Sequence, residues 1–153
     1  MNRTSLLIII VAGFIPTFLF PGCIKDPVTK SDTAIYPDGV AILDSANFAS
    51  KVAVPGLIAM VDFFSPVCDS CKKFDDTIKV LAKRYSDPSK VLIGKVNSYH
   101  KNDSLYNSFV DWIGEFPNLL FFNGGKVVKS KHGVMRVESC AKIIDSLLAS
   151  VAH

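Results

Sequence analysis

Cys68 and Cys71 enclose Asp69 and Ser70, and this Cys-x-x-Cys pair has the residue types and spacing best suited to chemistry. It follows the nearly continuous apolar run Leu57–Phe64 and the turn Ser65-Pro66-Val67. Behind it comes a segment with helical apolar spacing. A cysteine at a helix start meets unpaired N–H groups and the positive end of the dipole, and both favour a thiolate. One helical turn brings the second sulfur within disulfide reach. Shielded there, it can resolve a mixed disulfide. The same spacing also serves structural disulfides and zinc sites. No second Cys-x-x-Cys and no His-x-x-x-His completes four ligands, so neither a metal nor a cofactor is expected. Cys140 has no evident partner and reads as a semi-buried helical residue. His100 and His132 read as solvated, and Trp112 as packed in the core or beside the site.

Several elements must position this pair. Val40–Leu43 is a short apolar run, the first expected strand. Asp44 or Ser45 is expected to cap a helix reaching about Lys51, with Phe48 and Val52 inward. Leu57–Phe64 reads as a strand buried on both faces. Phe74, Ile78, Leu81 and Ala82 define one face of a helix from Asp69 to Tyr85, which Asp87-Pro88 ends. Val91–Val96 is a third strand. Asp103 is expected to cap a helix carrying Leu105, Phe109 and Trp112. Leu119–Phe122 and Lys126–Lys129 flank Asn123-Gly124-Gly125, a hairpin signal. Ser139 or Glu138 opens a last helix with Ile143, Ile144, Leu147 and Leu148. The order β-α-β-α-β-α-β-β-α implies parallel pairings closed by an antiparallel hairpin.

The 153 residues suggest one domain, preceded by an address. Arg3 followed by uncharged Ser5–Phe20 has the layout of an export signal. It is short for a membrane span, and Pro16 and Pro21 interrupt it. Gly22-Cys23 resembles the lipobox of bacterial lipoproteins, in which the cysteine is lipidated and becomes N-terminal. Phe20 and Pro21 depart from its usual residues. Residues 1–22 are therefore expected to be a signal peptide and 23–38 a polar tether. A flexible tether of that size spans about 20 Å. The domain from 39 to 153 would then sit at a membrane through lipidated Cys23, in the bacterial cell envelope. The net charge of +3 comes from 17 scattered basic residues, and no basic stripe with interleaved aromatics supports nucleic-acid binding.

From Val40 to Ser150 the sequence resembles the thioredoxin family. Val61-Asp62-Phe63 precedes Cys68 as the family's buried aspartate does. Lys95 on the third strand matches the family lysine near that aspartate. Pro117 matches the cis-proline facing the disulfide, and Gly125 and Gly133 fall where the family has glycines. The resemblance implies a three-layer α/β/α thioredoxin fold around a mixed sheet of four to five strands. It implies that Cys68 attacks a substrate disulfide, Cys71 resolves it, Asp62 relays a proton to or from Cys71, and Lys95 moderates Asp62. Val67, Phe116 and Pro117 would contact substrate. Val67 stands where tryptophan is usual, Asp69-Ser70 replaces Gly-Pro, and Phe116 and Asn118 flank the proline in place of the usual residues.

The expected function is reduction of client-protein disulfides outside the cytoplasm. Family members tethered there are recharged by a membrane electron carrier, so such a donor is an expected partner. Asp69 beside Cys68 disfavours the thiolate, which favours a reductant, whereas Lys72 and Lys73 push the other way. A non-catalytic protein holding a client or a soft metal such as Cu(I) is the alternative of another class. Isolated Met60 and Met135 speak against metal. A thiol oxidase or isomerase is the third reading; it would be expected to carry histidine within the dipeptide.

Overall fold

The computed structural model describes residues 38–99 and 104–151. The expected export signal, Gly22-Cys23, the expected tether up to residue 37, His100 and Asp103 lie outside the described residues. The described elements run β1 (Ala41–Leu43), α1 (Phe48–Val52), β2 (Ile58–Phe64), α2 (Asp69–Arg84), β3 (Val91–Asn97), α3 (Ser104–Ser108), β4 (Asn118–Asn123), β5 (Lys126–His132) and α4 (Val137–Val151). They form one five-stranded mixed sheet ordered β1-β3-β2-β4-β5. β3 runs parallel to β1 and β2, and β4 is antiparallel to β2 and β5. This is the thioredoxin fold that the family resemblance implies.

β2 lies at the centre, which explains its nearly continuous apolar run: both faces are covered, so no position needs to be polar for solvent. Ile58 and Met60 face a core with Phe74, Ile78 and Leu81 of α2 and Ile144 of α4. Ala59, Val61 and Phe63 face a second core with Phe48 and Val52 of α1 and Leu105 of α3. Alternation puts Asp62 on the α2/α4 face. Each large side chain wholly withdrawn from water contributes about 1.5–3 kcal/mol, and Phe63, Phe74, Phe121 and Phe122 are all of that kind.

Two short helices differ from expectation. α1 starts at Phe48, because the Asp44 carboxylate accepts from Ala46 N and Asn47 N and shapes a turn before the helix. α3 stops at Ser108, so Phe109 and Trp112 lie beyond it. Phe109 still packs against Phe48 and Phe122, at ring-centroid distances of 5.2 and 5.5 Å. Trp112 is 45% exposed and is not a core residue.

The hairpin between β4 and β5 turns on Gly124 and Gly125, at φ +54° and +84°. Positive φ at both central residues is the turn geometry that matches strand twist. At Gly125 a side chain would also meet the Ala53 Cα at 2.8 Å. β5 extends to His132, beyond the expected Lys129. Its polar end is that of an edge strand, where exposed Lys126, Lys129 and Lys131 discourage pairing with another chain.

Candidate active site

β2 delivers the chain through Ser65-Pro66-Val67 to the first turn of α2. Cys68 is the N-cap residue: its backbone is extended, and its sulfur accepts from Cys71 N at 3.1 Å. Cys68 and Cys71 form a disulfide with Cα atoms 5.3 Å apart. Cys68 is partly exposed, whereas Cys71 is buried on the inner face of α2. The pair therefore presents one sulfur outward and keeps the other in reserve. Val67 beside it is 69% exposed.

Ser70 is a site residue that the sequence reading passed over. Its hydroxyl lies 3.1 Å from the Cys68 sulfur and donates to the Phe116 carbonyl at 3.5 Å. Phe116-Pro117 is a cis peptide bond. Ser70 thus links the cysteine loop to the cis-proline loop. The available signal was a hydroxyl inside the dipeptide, where the family usually has proline. Asp69 has less influence than its position suggests. Its carboxylate is exposed and lies 3.2 Å from the Lys72 ammonium, so solvent and Lys72 both screen it.

The cis-proline loop is held from both sides. Gly133 N donates to the Pro117 carbonyl at 2.8 Å. Asn118, fully buried, donates from Nδ2 to the Trp112 carbonyl at 3.4 Å and to His132 Nδ1. His132 is exposed yet not merely solvated, since it is the acceptor that Asn118 uses. Ser130 adds a bond from its hydroxyl to the same Trp112 carbonyl at 3.0 Å.

Asp62 lies in the middle strand with no solvent exposure, and neither carboxylate oxygen has a hydrogen-bond partner among the described residues. Burial pushes its carboxyl up to about 7. Lys95 pulls it down and Asp75 pushes it further up. Lys95 is the register partner of Asp62 on β3. Its ammonium nevertheless bonds to Asp75 of α2 and sits 4.2 Å from the Phe64 ring centroid. Asp75, one turn beyond Cys71, is the second residue the sequence reading missed. Cys140 is wholly buried within the α2/α4 core, more deeply than expected, and burial pushes its thiol up to about 11. Among the described residues no cluster of metal-ligating side chains is present.

Known proteins resemble this chain in sequence and in fold. The family model described as Thioredoxin matches residues 39–146. A Schizosaccharomyces pombe protein bearing the name putative protein disulfide-isomerase is 28% identical over 118 residues, which is 77% of this chain but 22% of that protein. The chain thus spans about a fifth of that relative's length. The thioredoxin of Buchnera aphidicola is 28% identical over 103 residues, covering 67% of this chain and 91% of that one. Among solved structures, the thioredoxin of Malassezia sympodialis superposes with a TM-score of 0.59 at 19% identity, over 71% of this chain and 90% of that one, a likeness of fold.

Proposed function

This chain belongs to the thioredoxin family, and from that premise we propose that it is a thiol–disulfide oxidoreductase working as a membrane-tethered reductase of client-protein disulfides. The observation that carries the reading is the Cys68–Cys71 disulfide at the start of α2, one sulfur partly exposed and one buried, linked through Ser70 to the cis-Pro117 loop.

In the proposed mechanism the Cys68 thiolate attacks a client disulfide. One client sulfur leaves as a thiolate, and a mixed disulfide forms. Cys71 then loses its proton to Asp62 and attacks Cys68, releasing the reduced client and re-forming the Cys68–Cys71 disulfide. The two electrons that reduce the client come from the dithiol. A donor, proposed to be a membrane-embedded electron carrier, must return them. A carboxyl held at about 7 is suited to take that proton at neutral pH. Lys95 moderates Asp62, while exposed Val67, beside partly buried Phe116 and buried Pro117, offers the client an apolar contact.

Direction and place rest on different supports. The helix N-terminus and the Ser70 hydroxyl favour a Cys68 thiolate, which makes Cys68 the attacking sulfur; because a favoured thiolate also stabilises the dithiol, the reducing direction rests on the resemblance to tethered family members. The extracytoplasmic site and the Cys23 anchor rest on the N-terminal sequence. Two measurements test the proposal. Equilibrating the protein with dithiothreitol and glutathione buffers gives the Cys68–Cys71 potential. A value near that of thioredoxin, about −270 mV, is expected, whereas one of about −120 mV, where strong oxidants lie, rejects the reductase. Mass spectrometry of the membrane-bound protein is expected to find lipidated Cys23 at the N-terminus. A soluble product starting elsewhere, or an intact Met1, rejects the anchor.

A further inference from the structure

Asp62 and Lys95 are register partners on adjacent parallel strands, so their side chains leave the same face of the sheet. A buried carboxylate is costly unless it is paired, and a neighbouring ammonium is its natural partner. The pair is nevertheless not made: both Asp62 oxygens lack a hydrogen bond among the described residues. The Lys95 ammonium is drawn to the Asp75 carboxylate on α2 and held over the Phe64 ring. The Lys95 side chain is only 12% exposed and that of Asp75 is 40% exposed. Together with Phe64, Ile78 and Lys79 they line a cleft of about 260 Å³ on the outer side of the pair.

We propose that Asp75 is a positioning residue: it holds the Lys95 ammonium at the cleft and away from Asp62, leaving Asp62 an unpaired carboxyl available to exchange a proton with Cys71. Asp75 follows Cys71 by four residues, so it lies one turn further along the same side of α2. Among the described charged groups, β3 contributes Lys95 and α2 contributes Asp75. Lys79 of α2 is engaged with Asp38 at 4.0 Å. β4 places apolar Leu119 opposite Asp62. Removing the Asp75 charge is expected to release Lys95 towards Asp62, and a cation within reach lowers a carboxyl by about 1–3 pH units. The electrostatic influences on Asp62 have the same signs, Lys95 lowering and Asp75 raising.

The catalytic consequence rests on the proposed proton transfer from Cys71, but the positioning role is measurable without it. The full chain, in its disulfide form so that neither active-site thiol titrates, is followed by carbon-13 NMR of the Asp62 carboxyl across pH. Asp75→Asn is expected to lower the Asp62 midpoint by about one pH unit or more, and Asp75→Glu to restore most of it. In a Lys95→Met background the Asp75→Asn shift is expected to be much smaller, because there is no ammonium to release. An unmoved midpoint in Asp75→Asn overturns the proposal. A shift of equal size with and without Lys95 overturns it as well, since Asp75 then acts only as a charge. If the midpoint falls while the pH profile of disulfide exchange stays fixed, Asp75 positions Lys95 as proposed and Asp62 is not the proton acceptor.

Discussion

Gly133 and Pro117 are joined by one backbone hydrogen bond, in which the glycine N–H donates to the proline carbonyl at 2.8 Å. It ties the end of β5 to the loop that faces the disulfide. Gly133 makes it at φ +78°, a conformation that side chains rarely adopt, although open space surrounds the position. Gly133→Ala therefore costs backbone strain alone, about 1–2 kcal/mol. Gly125→Ala adds a collision with Ala53 to a similar φ and is expected to cost more. Urea unfolding of the two variants checks the order; equal losses would contradict it.

Exposure assigns the sulfurs. Cys68 is partly exposed and Cys71 is 2% exposed. Cys71→Ser is expected to accumulate mixed disulfides through Cys68, since the resolving thiol is gone. Cys68→Ser is expected to accumulate none. Non-reducing gels with mass spectrometry of the adducts decide between the two. Equal trapping by both variants would reverse or dissolve the assignment.

Asp62 links catalysis to stability. Its carboxyl titrates near 3.8 when unfolded and at about 7 when folded. Between these values the folded chain keeps a proton that the unfolded chain has released, so stability falls as pH rises through that window. At about 1.4 kcal/mol per pH unit the loss reaches roughly 4 kcal/mol above pH 7. An amide at this position never charges, so Asp62→Asn is expected to match wild type below pH 4 and to exceed it in stability above pH 7. Urea unfolding at both ends tests this. Disulfide exchange by the same variant is expected to slow by about tenfold or more around neutral pH. Unchanged rates at every pH would remove Asp62 from the mechanism.

Ser70 predicts a smaller effect. Its hydroxyl lies 3.1 Å from the Cys68 sulfur, so on reduction its one proton can turn from the Phe116 carbonyl to the thiolate. Ser70→Ala is expected to raise the Cys68 thiol pKa by about half to one unit, the worth of one hydrogen bond. The pH dependence of iodoacetamide alkylation in the reduced protein measures it. An unchanged profile would leave the helix N-terminus as the thiolate's support.

The chain's own order of residues determined the long elements and the sulfur pair. The apolar run of β2, the helical spacing of Phe74, Ile78 and Leu81, the Gly124-Gly125 turn and Cys68–Cys71 are local patterns, each written in neighbours a few positions apart. The short helices depart from their sequence patterns because helices of five residues get little from propensity and end where tertiary contacts end them, as α3 does before Phe109 joins the aromatic cluster. Only the tertiary structure decided which partner Lys95 takes, because Asp62 and Asp75 compete for it from β2 and α2 and the outcome depends on distances across the sheet. The same holds for Ser70 with Phe116 and for Asn118 with His132, bonded pairs separated by 46 and 14 residues. Hydrogen bonds and charge pairs act over a few ångströms of space, and which groups come that close is set by packing the elements together, not by their spacing along the chain.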